Sequence, residues 1–89
     1  MQARILILGF VQGVGFRAYV RKNARNLKLK GYVKNLPDQR VEALVQGSKE
    51  DIQKLITICE KGTFFSEVKS IQVEWEEIGE KFTVFEILH

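Results

Sequence analysis

The apolar residues of this chain change period at one place early on, and that change constrains everything built around it. From Ala3 to Val11 both alternations are apolar, with Ile5 and Ile7 on one and Leu6 and Leu8 on the other. That pattern predicts a strand in the middle of a sheet rather than at its edge. From Phe16 the spacing becomes Phe16, Val20, Ala24, Leu27, with basic residues between, which predicts an amphipathic helix. Gly13 and Gly15 lie at the junction, and glycine reaches the positive φ that a tight passage from strand to helix needs.

The remaining elements follow from the same two periods. Gly31 restarts the chain, and Tyr32 to Leu36 and Val41 to Val45 are short apolar-rich runs split by Pro37-Asp38, the pattern of a β-hairpin. Ser48 is placed to cap a helix with Asp51 at the capping-box position, Ile52, Leu55, Ile56 and Cys59 form its stripe, and Gly62 ends it. Val68, Ile71, Val73 and Trp75 predict a strand, Gly79 a turn, and Phe82 to Leu88 a final strand. Trp75 and the phenylalanines are expected to fill the core, and Cys59 to be a core thiol. The order is βαββαβ plus one strand. It predicts an α+β fold, a ferredoxin-like sandwich with an antiparallel-type sheet, an additional C-terminal strand and both helices on one face.

Length allows one domain over residues 1–89. The single cysteine excludes an intramolecular disulfide and no Cys/His cluster exists for a structural metal, so a reducing cytoplasm is expected. The N-terminal apolar run Ile5 to Leu8 is too short for a signal core or a span of about 20 residues. Charge is unevenly divided. Residues 1–40 carry nine Lys or Arg against the single Asp38, a net +8, while residues 41–89 carry five Lys against ten acids, a net −5. The half that holds the glycine loop would therefore attract an anion, although Lys22, Arg25 and Lys28 read best as a solvated helix face.

Val11-Gln12-Gly13-Val14-Gly15-Phe16-Arg17 has the grammar of an anion cradle. Glycines at 13 and 15 can turn several N–H groups inward, and a helix opening near Phe16 adds its own unpaired N–H groups and dipole. Arginine early in a helix is unfavourable against that dipole by about 0.3–1 kcal/mol, so Arg17 reads better as one wall of a phosphate site.

Three function classes compete for these residues. Gly13-x-Gly15-x-x-Ala18 with Asp38 downstream matches a dinucleotide fingerprint, but the second strand turns straight back at Pro37-Asp38, so no doubly wound parallel sheet can form. Lys30-Gly31-Tyr32-Val33 begins like an RNA-recognition stretch, but Lys34 stands where a stacking aromatic is needed, and Ile5-Leu6-Ile7-Leu8 supplies no aromatic partner. The third class is an enzyme that handles phosphate without a metal.

Here the residues carry a family resemblance. Ile7-Leu8-Gly9-Phe10-Val11-Gln12-Gly13-Val14-Gly15-Phe16-Arg17 resembles the first motif of the acylphosphatases at every defining position, and Gly31-Tyr32-Val33-Lys34-Asn35, then Val41 and Gly47, resembles the second. The similarity in element order runs through essentially the whole chain. Gln39 departs from it, standing where the family usually has a turn glycine after aspartate, which leaves the hairpin turn geometry open.

The resemblance implies a cytosolic enzyme that hydrolyses carboxyl phosphates to a carboxylate and inorganic phosphate, with no metal and no cofactor. By position, Arg17 is similar to the family's phosphate-binding arginine and Asn35 to the asparagine that holds the attacking water, while Gln12, Gly13, Val14, Gly15, Phe16 and Arg17 would bind substrate. The expected partners are a small acyl phosphate and inorganic phosphate, with no nucleic acid and no membrane, the chain acting as a monomer. The alternative is a non-catalytic RNA-binding or phosphate-binding module on a ferredoxin-like sheet, or a carbamoyl-phosphate-handling one as in the acylphosphatase-like domain of hydrogenase maturation proteins.

Elementary chemistry agrees with those residue types. A carboxylate already leaves well, so positioning and charge stabilisation carry most of the work. A guanidinium fork suits equatorial phosphoryl oxygens better than an ammonium. Asparagine accepts from water and donates to phosphate without adding negative charge beside a dianion.

Overall fold

β1 (Gln2–Phe10) takes an interior place in a five-stranded sheet, paired on both sides, as its two apolar alternations predict. The computed structural model describes residues 1–89. After β1 come α1 (Phe16–Asn26), β2 (Lys30–Asn35), β3 (Val41–Gln46), α2 (Lys49–Lys61), β4 (Glu67–Glu76) and β5 (Phe85–Leu88). The sheet order is β4-β1-β3-β2-β5, and β1 pairs antiparallel with both β3 and β4.

One face of the sheet carries the core. Ala3, Ile5 and Ile7 of β1 stand in register with Val45, Ala43 and Val41 of β3. They are buried with Val20 and Ala24 of α1 and Ile52, Leu55 and Cys59 of α2. Each Val, Leu or Ile among them contributes about 1.5–3 kcal/mol when fully buried. Both helices therefore lie on this face. Ser48 caps α2, its Oγ accepting from the Asp51 N–H at 3.1 Å, a contact worth about 1 kcal/mol. Tyr19 Oη donates to the Ile58 carbonyl at 3.0 Å, tying the start of α1 to the end of α2. Burial pushes the Cys59 thiol up to about 12, the behaviour of the expected core thiol.

The opposite face has no helix, and it explains where expectation and structure part. Leu8 and Phe10 point there and are 42% and 62% exposed. Phe64 and Phe65 sit in the turn after α2, 94% and 71% exposed, and Trp75 is 41% exposed on the edge strand β4. Of the phenylalanines only Phe16 and Phe85 reach full burial. The expectation that Trp75 and all the phenylalanines fill the core is thus corrected. Two helices cover one face of the sheet, and aromatics on the other face, on an edge or in a turn have nothing to pack beneath. Trp75 instead carries the Lys49 ammonium 5.7 Å above its ring.

The open face is held by a polar cluster around Glu42, which is only 8% exposed. Its carboxylate accepts from Arg4 at 3.0 Å and from Tyr32 Oη at 3.1 Å, with Lys34 Nζ at 3.7 Å. Glu76, taking hydrogen bonds from Gln2 and Arg4, is held below the usual carboxylate range, and the same pairing raises Arg4.

β5 runs parallel to β2, so the sheet is mixed rather than wholly antiparallel. β4 ends opposite Gln2, at the end of the sheet where β2 begins. Residues 77–84 cross that end, held by Gln46, which donates to the Glu80 carbonyl at 2.6 Å and accepts from the Phe82 N–H at 3.1 Å. β5 must then start where β2 starts.

Candidate active site

Three strands deliver the site residues to one end of the sheet. β1 and β2 are both antiparallel to β3, so they run in the same direction, and β5 joins them in parallel. Their C-terminal ends, at Phe10, Asn35 and Leu88, therefore lie on the same side.

The loop from Val11 to Gly15 is pinned at both ends, because Val11 and Phe16 are each 1% exposed. Gly13 and Gly15 have φ of 76° and 77°, and Gly15 is the N-cap residue of α1 without any side-chain cap. A Cβ built on either glycine would meet nothing within 4 Å. The requirement is thus for left-handed backbone, which costs about 1–2 kcal/mol for a residue with Cβ, and not for space. None of the backbone N–H groups from Gln12 to Arg17 finds an acceptor in the chain; the first backbone bond of this region runs from Tyr19 N to the Gly15 carbonyl at 3.1 Å. A run of free donors at a helix N-terminus is a site for an anion.

Arg17 lies in the first turn, where α1 has no acidic residue. Its Nη1 is 3.5 Å from the Leu88 carbonyl oxygen and 3.4 Å from His89 Nδ1. No carboxylate neutralises it. A cavity of about 140 Å³ opens among Gly13, Gly15, Arg17, Ala18 and Ile87. A wider concavity of about 500 Å³ lies over the solvated face of α2, lined by Lys49, Glu50, Gln53, Lys54 and Thr57, away from the loop.

Asn35 ends β2 and is half-buried. Its Oδ1 is buried without a hydrogen-bond partner, a state shared only by Thr63 Oγ1. Buried acceptors are nearly always satisfied, so an orphan asks for an explanation. Lys34 stands in register with Leu88, the residue whose carbonyl Arg17 touches, so Arg17 and Asn35 are brought to the same end of β2 and β5.

Gln12 is placed differently from the other loop residues. Its side-chain Nε2 donates to the Leu36 and Arg40 carbonyls, each at 2.9 Å, so the amide is engaged with the hairpin neck and only its backbone N–H faces the cradle. Phe16 is buried and Val14 packs against the core, so they, with Gly13 and Gly15, offer backbone alone. The hairpin turn itself resolves the departure at Gln39. That residue adopts φ of 77°, and Asp38 braces the turn by accepting from Arg40 N at 3.2 Å and Arg40 Nε at 2.8 Å. Those hydrogen bonds lower the Asp38 pKa. Sequence reasoning missed the neighbours of Arg17, since Leu88 and His89 are 71 and 72 residues away and nothing local signals them. No group of three or more His, Cys, Asp or Glu side chains is placed to hold a metal ion.

Comparison with known proteins bears on the chain as a whole. The family model Acylphosphatase matches residues 3–87. A relative named Acylphosphatase from Chloroflexus aurantiacus is 44% identical over 88 residues, 99% of this chain and 96% of that protein. The crystal structure of acylphosphatase from Bacillus subtilis superposes with a TM-score of 0.95 at 40% identity, covering 99% of this chain and 98% of that one. Full-length HypF, crystallised in a phosphate- and nucleotide-bound form, is similar over 99% of this chain but only 12% of its own, with a TM-score of 0.85 at 33% identity.

Proposed function

The chain belongs to the acylphosphatase family, and on that premise we propose how its residues divide the hydrolysis of an acyl phosphate. The N–H groups from Gln12 to Arg17 and the Arg17 guanidinium bind the phosphoryl oxygens. Asn35 holds the attacking water. Water attacks phosphorus, the bond from phosphorus to the carboxylate oxygen breaks with its electron pair, and the two water protons remain on the phosphate. A dianionic acyl phosphate thus becomes a carboxylate and a dihydrogen phosphate, and charge balances.

The observation that carries this reading is the loop of unpaired donors beside an Arg17 with no carboxylate partner, at the sheet end where Asn35 closes β2. Oδ1 accepts one water proton while Nδ2 donates to a phosphoryl oxygen, which orients the water for in-line attack. The leaving carboxylate already departs well and needs no general acid. Arg17 stabilises the charge that develops on the equatorial oxygens, and its fork matches their geometry.

The reaction requires no metal and no cofactor, and the protein acts as a cytoplasmic monomer on small molecules. A nucleic-acid role is not favoured, because Tyr32 on the open face is already engaged, its hydroxyl on Glu42 and its ring 5.7 Å from Phe82.

The test is hydrolysis of an aryl acyl phosphate in excess EDTA, beside a phosphate monoester. Turnover of the acyl phosphate with the monoester far slower is expected. Activity that vanishes with chelator and returns with magnesium would overturn the metal-free mechanism.

A further inference from the structure

Both protons of the Gln12 side-chain amide are committed to the hairpin neck, to the carbonyls of Leu36 and Arg40 at 2.9 Å each. Those carbonyls are the closing pair of the turn, for Leu36 N donates to the Arg40 carbonyl at 2.8 Å and Gln39 N to the Leu36 carbonyl at 3.3 Å. Gln12 is also the residue immediately before Gly13, where the cradle begins, and Leu36 immediately follows Asn35. No other side-chain hydrogen bond joins residues 11–15 to the rest of the chain. Val11 and Phe16 anchor the loop to the core on either side through apolar contacts alone.

We propose that Gln12 is a positioning residue, a strut that sets the distance between the phosphate cradle and Asn35, rather than a side chain that binds phosphate. The inference rests on the reading of Asn35 as the water holder. It explains why an amide is needed at this position. A carboxylate would aim two acceptors at two carbonyls, and an apolar side chain would leave both without the added donor. It also assigns the consequence of losing the strut. The cradle retains its own donors and still binds phosphate, but the water on Asn35 is no longer held in line with it, and a displacement near 1 Å in such geometry costs about 10²-fold in rate.

The test is Gln12→Met, which keeps length and removes the donors. Expected are a kcat reduced by about 10- to 100-fold and a competitive inhibition constant for inorganic phosphate within about twofold of the parent. The double variant Gln12→Met/Asn35→Ala should be no slower than Asn35→Ala alone, since Gln12 acts through Asn35. A raised inhibition constant, or a Gln12 effect that multiplies on top of a slow Asn35→Ala, would remove the strut role and leave the Asn35 mechanism standing. Normal turnover in Asn35→Ala would instead remove the nucleophile assignment, and with it the premise. Should Gln12→Met not fold, the parent protein answers by NMR during a phosphate titration. The Gln12 side-chain amide protons should be slow to exchange and stay in place while the backbone amides from Gly13 to Arg17 shift; side-chain protons that exchange freely or move with phosphate overturn the inference.

Discussion

Replacing Asn35 separates activity from stability more cleanly than any other change in this chain. Its Oδ1 is buried and makes no hydrogen bond to protein, so Asn35→Ala breaks no protein contact. A loss of packing of about 0.5–1 kcal/mol should keep the melting temperature within about 4–8 °C of the parent's for a domain of this size. Turnover should fall far further. Loss of a positioned nucleophile costs about 10²-fold or more, about 2.7 kcal/mol of barrier, while the phosphate cradle is untouched. Asn35→Asp is the sharper companion, because it keeps size and acceptor but faces a dianion with a negative charge, so it should weaken phosphate binding as well as slow turnover. The assay is steady-state hydrolysis of an aryl acyl phosphate, phosphate inhibition and a melting curve on all three proteins. Near-normal turnover in Asn35→Ala, or turnover lost together with a melting point lowered by 10 °C or so, would show that Asn35 is a structural end to β2 and that the mechanism names the wrong residue.

Other outcomes follow from other residues. Arg17→Lys should be nearly as damaging as Arg17→Ala, since lysine keeps the charge but loses the fork, and transition-state arginines in phosphoryl transfer are worth about 10³–10⁵ in rate; a mild loss on either change would take Arg17 out of the mechanism. Gln39→Gly should leave turnover intact and stabilise by about 0–1.6 kcal/mol. It relieves about 1–2 kcal/mol of left-handed strain at φ of 77°, set against the greater freedom of glycine in the unfolded chain, about 0.4–1 kcal/mol; a drop in kcat would mean the turn touches substrate. Cys59, with a folded pKa near 12 against about 8.5 unfolded, contributes stability that is full below pH 8.5 and declines as pH rises through that window, by up to about 1.4 kcal/mol per unit. Denaturant titrations from pH 8 to 10.5 should show a shallower alkaline decline in Cys59→Ala than in the parent, and equal slopes would refute the assignment.

What was legible in the sequence is what local chemistry determines. The change of period at Gly13 and Gly15 located β1, the loop and α1; Pro37-Asp38 located the hairpin; Ser48 and the stripe to Cys59 located α2. Each signal lies within a few residues of the element it marks. The elements that were not legible depend on partners far along the chain. β5 lies parallel to β2 because the crossing over residues 77–84 stays at one end of the sheet, a fact of topology that no residue from Phe82 to Leu88 carries. Phe10, Phe64, Phe65 and Trp75 were expected inside because hydrophobicity measures a preference for burial, whereas only the helices decide which positions receive cover. In the site, the cradle residues were readable from their types and spacing. The engagement of the Gln12 amide was not, since its acceptors are 24 and 28 residues away and are backbone carbonyls that any sequence supplies.

The site gathers the groups that the fold leaves unsatisfied, namely the donors from Gln12 to Arg17 and the Arg17 guanidinium without a carboxylate partner. A ligand that satisfies them exists only for the folded chain, so phosphate must stabilise it by mass action. At a concentration a hundred times the dissociation constant holding near the melting temperature, the gain is about 2.7 kcal/mol, and at about 4–8 °C per kcal/mol the transition should rise by roughly 10–20 °C. Phosphate also strengthens burial generally by exclusion from protein surfaces, so the shift has to be separated from that effect. Arg17→Ala supplies the control, as its core is unchanged and its cradle is not. Thermal scans of the parent, Arg17→Ala and Asn35→Ala should be run in phosphate and in chloride at matched ionic strength. The parent and Asn35→Ala should show the specific shift and Arg17→Ala only a small residue of it. Equal shifts in all three would mean that phosphate acts on the whole surface, and that the unpaired donors of the loop are solvated rather than kept for a ligand.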